Sequence, residues 1–329
     1  MKALVWTGPR QMEVEDQERP RPQPGAVVVR SRAAGICGSE IEGYLGRMSN
    51  RTPPLVMGHE FAGEVVEVGE GVDPGWRGKQ VAINPVVSCG VCSTCRAGDT
   101  NLCEKRALIG IAFPGGFAEY VNVPLASLYE LPAGTDPRVG ALVEPMANGV
   151  HAIRLGLQMV PAERAAVIGG GMIGLACLQA ALAQGVETVE LVEPYEGRRE
   201  HARRLGAHAV HPTSAAAGTG FDLVVDAVGA ASTRQAAVEL TRNGGVCIFI
   251  GLHEDSTPLA WHRVIRGQIA IRGTFAYSRD DFQVALEQLV GGLIGIGELS
   301  APLPLDRGPK AFADLAAGPS QAVKVFLTS

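Results

Sequence analysis

Four cysteines, Cys89, Cys92, Cys95 and Cys103, follow the spacing C-x2-C-x2-C-x7-C. Four thiolates so close along one chain can close a tetrahedral zinc site inside a single loop, and Gly90 and Gly98 ease the turns this requires. Two disulfides are the competing reading, but C-x2-C spacing and a reducing compartment favour metal. With sulfur at all four positions such a zinc has no place left for substrate, so its expected role is to brace the loop. Outside this loop, Cys37 in the run C-G-S-E and the pair His59-Glu60 after Gly58 put a thiol, an imidazole and a carboxylate close along the chain.

A second constellation lies at Gly169, Gly171 and Gly174, a G-x-G-x-x-G with Met172 and Ile173 between the last two glycines. The apolar run 165 to 168 precedes it, and an Ala/Leu-rich run to Gln184 that can form a helix follows. Strand, turn and helix thus come in the order a dinucleotide site needs. The first glycine permits a tight turn, the second lets backbone approach a pyrophosphate, and the third lets helix and strand pack closely. The helix N-terminus adds free N–H groups and the positive end of a dipole. A second strand, 188 to 192, ends at Glu193, where a carboxylate can accept hydrogen bonds from a ribose diol. Residues 165 to 186 carry no charge and contain a G-x-x-x-G, so a membrane span competes. Richness in Ala and Gly, with a strand pattern directly after, argues against it. A methyltransferase sheet is a third reading, disfavoured by the zinc-type cysteines.

These residues must be held by a chain long enough, at 329 residues, for two domains with separate cores. Hydrophobic content of 46% and charged content of 19% are those of an ordinary globular protein. A net charge of -5 argues against a nucleic-acid surface or an anionic membrane as partner. No secretion signal is evident at Met1 to Trp6, and an odd number of cysteines suggests thiols that bind metal or sit buried, so the expected location is the cytoplasm.

The first part of the chain reads as β-rich. A hairpin is expected over 2 to 6 and 12 to 14, with strands at 26 to 32, 63 to 69 and 118 to 123 and a Gly-flanked loop at 37 to 40. A helical stretch over 136 to 156 contains Glu144-Pro145. After the glycine motif, helices are expected from 198 to 205, 232 to 241 and 280 to 290. Strands are expected at 221 to 227, 246 to 250, 269 to 275 and 322 to 327. The alternation implies a parallel sheet with helices on both faces.

Cys37, Gly58-His59-Glu60, the four-cysteine loop, Glu144-Pro145 and the later G-x-G-x-x-G, in this order, resemble the zinc-dependent medium-chain dehydrogenase/reductase family over essentially the whole chain. Glu144-Pro145 looks like the polyol branch, which includes sorbitol, threonine and butanediol dehydrogenases; the classical alcohol dehydrogenases have cysteine there. The resemblance implies an α/β protein of two parts. A GroES-like β-barrel catalytic domain would span 1–147 and be completed by 277–329. A Rossmann doubly wound parallel-sheet nucleotide-binding domain would span 148–276.

The resemblance also implies a catalytic zinc on Cys37 and His59, with Glu60 or Glu144 supplying the carboxylate and one position left open. A dication there makes an alcohol easier to deprotonate, and hydride then passes to the nicotinamide. Ser39 stands where the family has a hydroxyl that receives the alcohol's proton and passes it to the cofactor ribose. Glu42 stands where many relatives have a histidine in that relay, so Glu42 or water carries the proton onward. The bland alternatives are a buried structural cysteine, a core histidine, an exposed helix acid at Glu144 and a solvated loop serine. Glu193 implies NAD rather than NADP, although Arg198 and Arg199 lie just downstream. The turns at Val228-Gly229, Gly251-Leu252 and Thr274-Phe275 would line the nicotinamide side.

The expected function is oxidation of a secondary alcohol of a polyol, diol or related hydroxy compound. The expected protein is a homodimer or homotetramer paired through an edge of the nucleotide sheet. The alternatives are an NADPH-linked carbonyl reductase and a nucleotide-binding redox sensor without turnover. Ala276-Tyr277 stands where sorbitol dehydrogenases often carry Arg-Tyr, which puts sorbitol in doubt. Arg47 and Arg51 follow Ser39 on a loop that is either solvated or able to bind a phosphate or carboxylate.

Overall fold

The computed structural model describes residues 1–318 and 322–329. The chain divides into two compact units: Met1–Glu144 with Ser278–Val290 and Glu298–Ser329, and Pro145–Tyr277 with Gly291–Gly297. The division falls inside the long helix Pro137–Leu157, which carries Pro145 within it.

The first unit is built on a seven-stranded, largely antiparallel sheet centred on Ala26–Gly35, which pairs with Glu60–Val68, Tyr120–Pro124 and the closing strand Phe326–Thr328. The hairpin Lys2–Gly8 with Gln11–Asp16 forms a three-stranded sheet with Leu55–Val56. Alternation along these strands sends Val27, Val29, Phe61 and Val65 inward, where they meet Leu4, Val81, Phe117 and Phe312 in one core. Burying a side chain of this size contributes about 1.5–3 kcal/mol, so this core is what fixes the ends of Ala26–Gly35 and Glu60–Val68 that carry Cys37, His59 and Glu60.

The second unit holds a six-stranded parallel sheet in the order Ala209–His211, Thr188–Val192, Arg164–Ile168, Phe221–Asp226, Thr241–Phe249, Ala270–Gly273. The order reverses beside Arg164–Ile168, whose C-terminal end is a topological switch point of the type where dinucleotides bind. Helix Met172–Ala183 follows directly, buried through Leu175, Ala176, Leu178, Ala180 and Ala181. Its lack of charge reflects burial within a parallel fold: among the described residues no helix is long and apolar enough to cross a membrane.

Three expectations are corrected. Residues 38 to 40 open the helix Gly38–Tyr44, because the Glu40 carboxylate reaches back 2.9 Å to the N–H of Cys37 and satisfies a donor the helix start leaves bare. The strand expected from 246 begins at Thr241, and a register irregularity near Phe221 and Leu223 absorbs the polar residues Arg242 and Asn243. The closing strand is Phe326–Thr328, and the expected span 322 to 327 begins beside residues outside those described. The short strands Gln80–Ile83 and Ala209–His211 and the helices Trp261–Gly267 and Gly308–Ala317 were not among the expected elements.

Candidate functional site

Cys37 leaves the end of Ala26–Gly35 as the N-cap of Gly38–Tyr44, and Glu60 opens the neighbouring strand with His59 directly before it. Gly58 makes the approach possible, since it adopts φ +103° and a Cβ there would stand 2.7 Å from the N of Phe117. One ligand atom each from Cys37, His59 and Glu60 lies within 4.8 Å of the others, with His59 and Glu60 buried.

Glu40 organises this cluster. Its Oε1 accepts from the backbone N–H of Gly58 (2.9 Å) and His59 (3.1 Å) and lies 2.8 Å from His59 Nδ1, while Oε2 accepts from Cys37 N–H. An ionised carboxylate only accepts, so Nδ1 carries a proton, and Nε2 is the ring nitrogen left for a metal once its own proton is displaced. Burial raises the Glu40 pKa, but the His59 imidazole and then Arg51 outweigh it, and the carboxyl is held below the usual range. For His59, burial disfavours the charged form, yet Glu40 and Cys37 outweigh burial and push its pKa well up.

Lys324, 5% exposed, answers the second carboxylate: its Nζ lies 2.5 Å from Glu60 Oε2 and 3.2 Å from the carbonyl of Ile36. Burial lowers the Lys324 pKa, but Glu60 and Cys37 outweigh it, so the ammonium stays charged. Glu60 Oε1 is buried with no hydrogen-bond partner. An orphaned carboxylate oxygen beside a thiol and an imidazole is a donor set that fits zinc. Glu144 is buried on Pro137–Leu157 within the same unit.

Ser39 Oγ lies 3.4 Å from Cys37 Sγ and accepts from Arg51 Nη2 at 3.1 Å. Glu42 faces solvent and pairs with Arg47 at 3.4 Å. The loop after Ser39 is thus divided, with Arg47 solvated and Arg51 buried.

The other four cysteines also converge. One sulfur from each of Cys89, Cys92, Cys95 and Cys103 lies within 4.8 Å of the rest, with Cys89–Cys95 and Cys92–Cys103 at 3.9 Å. All are free thiols. A zinc tetrahedron with bonds near 2.3 Å has sulfur–sulfur edges of about 3.8 Å, so the spacing fits one. Backbone N–H groups of Val91 and Cys92 lower the Cys89 thiol to about 6, which favours the thiolate a metal needs.

In the second unit, Gly169 adopts φ +104°, Gly171 caps Met172–Ala183, and Met172 and Ile173 form its first turn. A Cβ on Gly174 would fall 1.8 Å from the carbonyl oxygen of Gly169, so only glycine closes this turn. Glu193 Oε2 accepts from Gly170 N–H at 2.8 Å and Oε1 from Tyr195 N–H at 2.9 Å, with Arg198 3.8 Å away. Asp226 gathers the later turns: its side chain accepts from Val228 and Gly229, and its carbonyl from Ile250 and Gly251. Gly229 and Gly251 then pack backbone to backbone, leaving Leu252 exposed. Thr274 follows on the next strand end, its hydroxyl buried without a partner, and Phe275 is partly exposed beside it. Bare amides at a helix start, an acid fixed beside the second glycine and an orphaned hydroxyl fit a nicotinamide dinucleotide.

Residues 23–133 match the model of the alcohol dehydrogenase GroES-like domain, and residues 172–291 that of the zinc-binding dehydrogenase domain. The chain belongs to the zinc-dependent medium-chain dehydrogenases of the polyol type, with a GroES-like catalytic part and a Rossmann part. It is similar to the L-galactonate-5-dehydrogenase of Escherichia coli K12, 32% identical over 316 residues, 93% of this chain and 90% of the relative. Its fold is similar to that of an alcohol dehydrogenase from Escherichia coli CFT073 solved with NADH, with TM-score 0.92, 28% identity, and coverage of 100% and 99%. A zinc-binding dehydrogenase of Sinorhizobium meliloti 1021 bound to NADP is as near, with TM-score 0.91, 31% identity, and coverage of 100% and 99%. The protein is thus an enzyme acting on CH–OH groups with zinc and a nicotinamide cofactor.

Sequence reasoning missed Glu40 and Lys324. Glu40 had a signal, the N-cap-to-N3 spacing from Cys37. Lys324 had none, because it lies outside any strand and its partner Glu60 is 264 residues away along the chain.

Proposed function

We propose that the protein oxidises a secondary alcohol of a polyol, diol or related hydroxy compound to a ketone, with NAD as hydride acceptor, in the cytoplasm. The observation that carries this reading is the Cys37–His59–Glu60 cluster, with His59 and Glu60 buried and Oε1 of Glu60 unsatisfied. Cys37, His59 and either Glu60 or Glu144 would hold a catalytic zinc, which when bound supplies Lewis acidity toward an alcohol oxygen. Glu40 keeps His59 in the tautomer that presents Nε2. Lys324 competes for Glu60, so the carboxylate can exchange between ammonium and metal without ever being buried uncompensated. Ser39 takes the alcohol's proton; Glu42, spent on Arg47 at the surface, leaves water as the onward carrier. The sulfurs of Cys89, Cys92, Cys95 and Cys103 would hold a second, bracing zinc.

Residues 1–147 with 277–329 carry the catalytic role, and 148–276 the cofactor role. Glycines 169, 171 and 174 and the first turn at Met172 and Ile173 receive the pyrophosphate. Val228, Gly251, Leu252, Thr274 and Phe275 line the nicotinamide side. Glu193, anchored by Gly170, favours a ribose 2'-hydroxyl and repels a 2'-phosphate, and Arg198 would contact the adenosine end. The strand Ala270–Gly273 ends the sheet, and Trp261 and Ile265 are 58% and 68% exposed on the helix before it. That unpaired edge supports a homo-oligomer.

The test is NADH formation from a panel of polyols, diols and hydroxy acids, with and without chelator, repeated with NADP. The reading requires chelator-sensitive turnover and a larger kcat/KM with NAD. A preference for NADP would make the enzyme the NADPH-linked carbonyl reductase.

A further inference from the structure

Arg51 is 5% exposed, yet its guanidinium is poorly answered. Of its five N–H donors, Nη2 meets Ser39 Oγ, Nη1 meets only the sulfur of Met57 at 3.4 Å, and Nε has no partner. Among the described residues it forms no ion pair; Glu40, which it influences electrostatically, has both oxygens committed to N–H donors of Cys37, Gly58 and His59. A buried cation without a counter-charge is costly to keep.

The fold makes room for it at further cost. Gly43 sits inside the helix Gly38–Tyr44, where glycine is about 1 kcal/mol worse than alanine. A Cβ there would lie 2.7 Å from Arg51 Nη1 and 3.0 Å from its Cδ, so the glycine clears the space the guanidinium fills. Arg51 also stands where the chemistry happens, since the Ser39 hydroxyl it touches is 3.4 Å from Cys37 Sγ. Arg47, four residues earlier, has its own carboxylate and faces solvent.

We propose that Arg51 anchors the substrate, and that the substrate carries an oxyanion, a carboxylate or a phosphate, in addition to the reacting CH–OH group. The inference rests on the dehydrogenase reading of the Cys37 site and names its substrate class. The planar fork pairs two N–H groups with two oxygens of a carboxylate or phosphate, which a neutral polyol does not offer. A site built for such a group rejects the analogue lacking it strongly, because its buried donors are then left bare.

The experiment is calorimetric titration of the zinc-loaded, NADH-bound enzyme with gluconate, sorbitol 6-phosphate and sorbitol, which NADH cannot reduce. One anion is expected to bind at least 100-fold more tightly than sorbitol, and which one identifies the oxyanion. In Arg51→Gln the ratio of anion to sorbitol affinity collapses to within 10-fold, and Arg51→Lys, which keeps the charge without the fork, falls between. Gly43→Ala, whose new methyl displaces the guanidinium, lowers the same ratio and decides the matter if Arg51→Gln does not fold. Equal binding of anions and sorbitol by the native enzyme, or a ratio that survives both Arg51→Gln and Gly43→Ala, overturns the proposal. Chelator-sensitive turnover of neutral polyols without anion preference would sink this inference and leave the dehydrogenase reading standing. Anion binding through Arg51 with no turnover of any alcohol would overturn the reading of the Cys37 site and leave Arg51 an anion site but not a substrate anchor.

Discussion

Among the described residues Lys324 is the cation that answers Glu60, and replacing it by methionine removes that charge. The pair is almost sealed, with side-chain exposures of 3% and 1%, and Nζ is 2.5 Å from Oε2. Breaking a buried pair from one side costs about 3–5 kcal/mol. At about 2–4 °C per kcal/mol, metal-free Lys324→Met should unfold roughly 6–20 °C below the metal-free native protein at pH 7. Zinc should recover more in the variant than in the native protein, because it supplies the missing positive charge to Glu60. The assay is thermal unfolding of chelated and zinc-loaded protein at pH 7. A metal-free variant within 2 °C of native at pH 7 would refute the assignment of Lys324 as the counter-charge.

The two cysteine sites should fail differently. Cys37→Ala should abolish turnover while NADH still binds, whereas Cys95→Ala should release one zinc and lower stability first, as metal analysis and unfolding curves would show. Gly174→Ala places a methyl 1.8 Å from the Gly169 carbonyl, so the turn must open; NADH affinity by fluorescence should drop at least tenfold, and an unchanged affinity would contradict the close packing. Asp222 accepts from the N–H groups of Glu163 and Arg164 and from Arg242. Burial raises its pKa, but those donors outweigh it, so the folded value lies below 3.8. Its stabilisation is therefore present above pH 3.8 and lost as pH falls through the lower folded value. Asp222→Asn should cost about 1–3 kcal/mol at pH 7 and less in acid, read by unfolding against pH.

The parts that were legible in the sequence are those where chemistry is local. The glycine motif reads correctly because each glycine answers a backbone demand within a few residues, as Gly174 does toward Gly169. The four-cysteine loop was legible as a cluster because its thiols lie within one short segment, and in the fold they do converge. Helix Gly38–Tyr44 was missed because glycines at 38 and 43 look like loop, and its start is fixed by Glu40, a residue also engaged with a distant strand. Arg51 left two readings open for the same reason: whether an arginine is solvated depends on Gly43 and Met57, and only the fold puts these against it. Lys324 meets Glu60 across 264 residues, a pairing no periodicity announces.

The most direct test of the account is a single assay of NADH formation by protein of measured zinc content. Zinc-loaded enzyme, given NAD and a panel of polyols and polyhydroxy acids, should turn over at least one of them, lose that activity on chelation, and regain it with zinc. Turnover indifferent to zinc, or none in protein that binds both zinc at Cys37 and NAD, would contradict the assignment of Cys37, His59 and Glu60 to a catalytic metal centre.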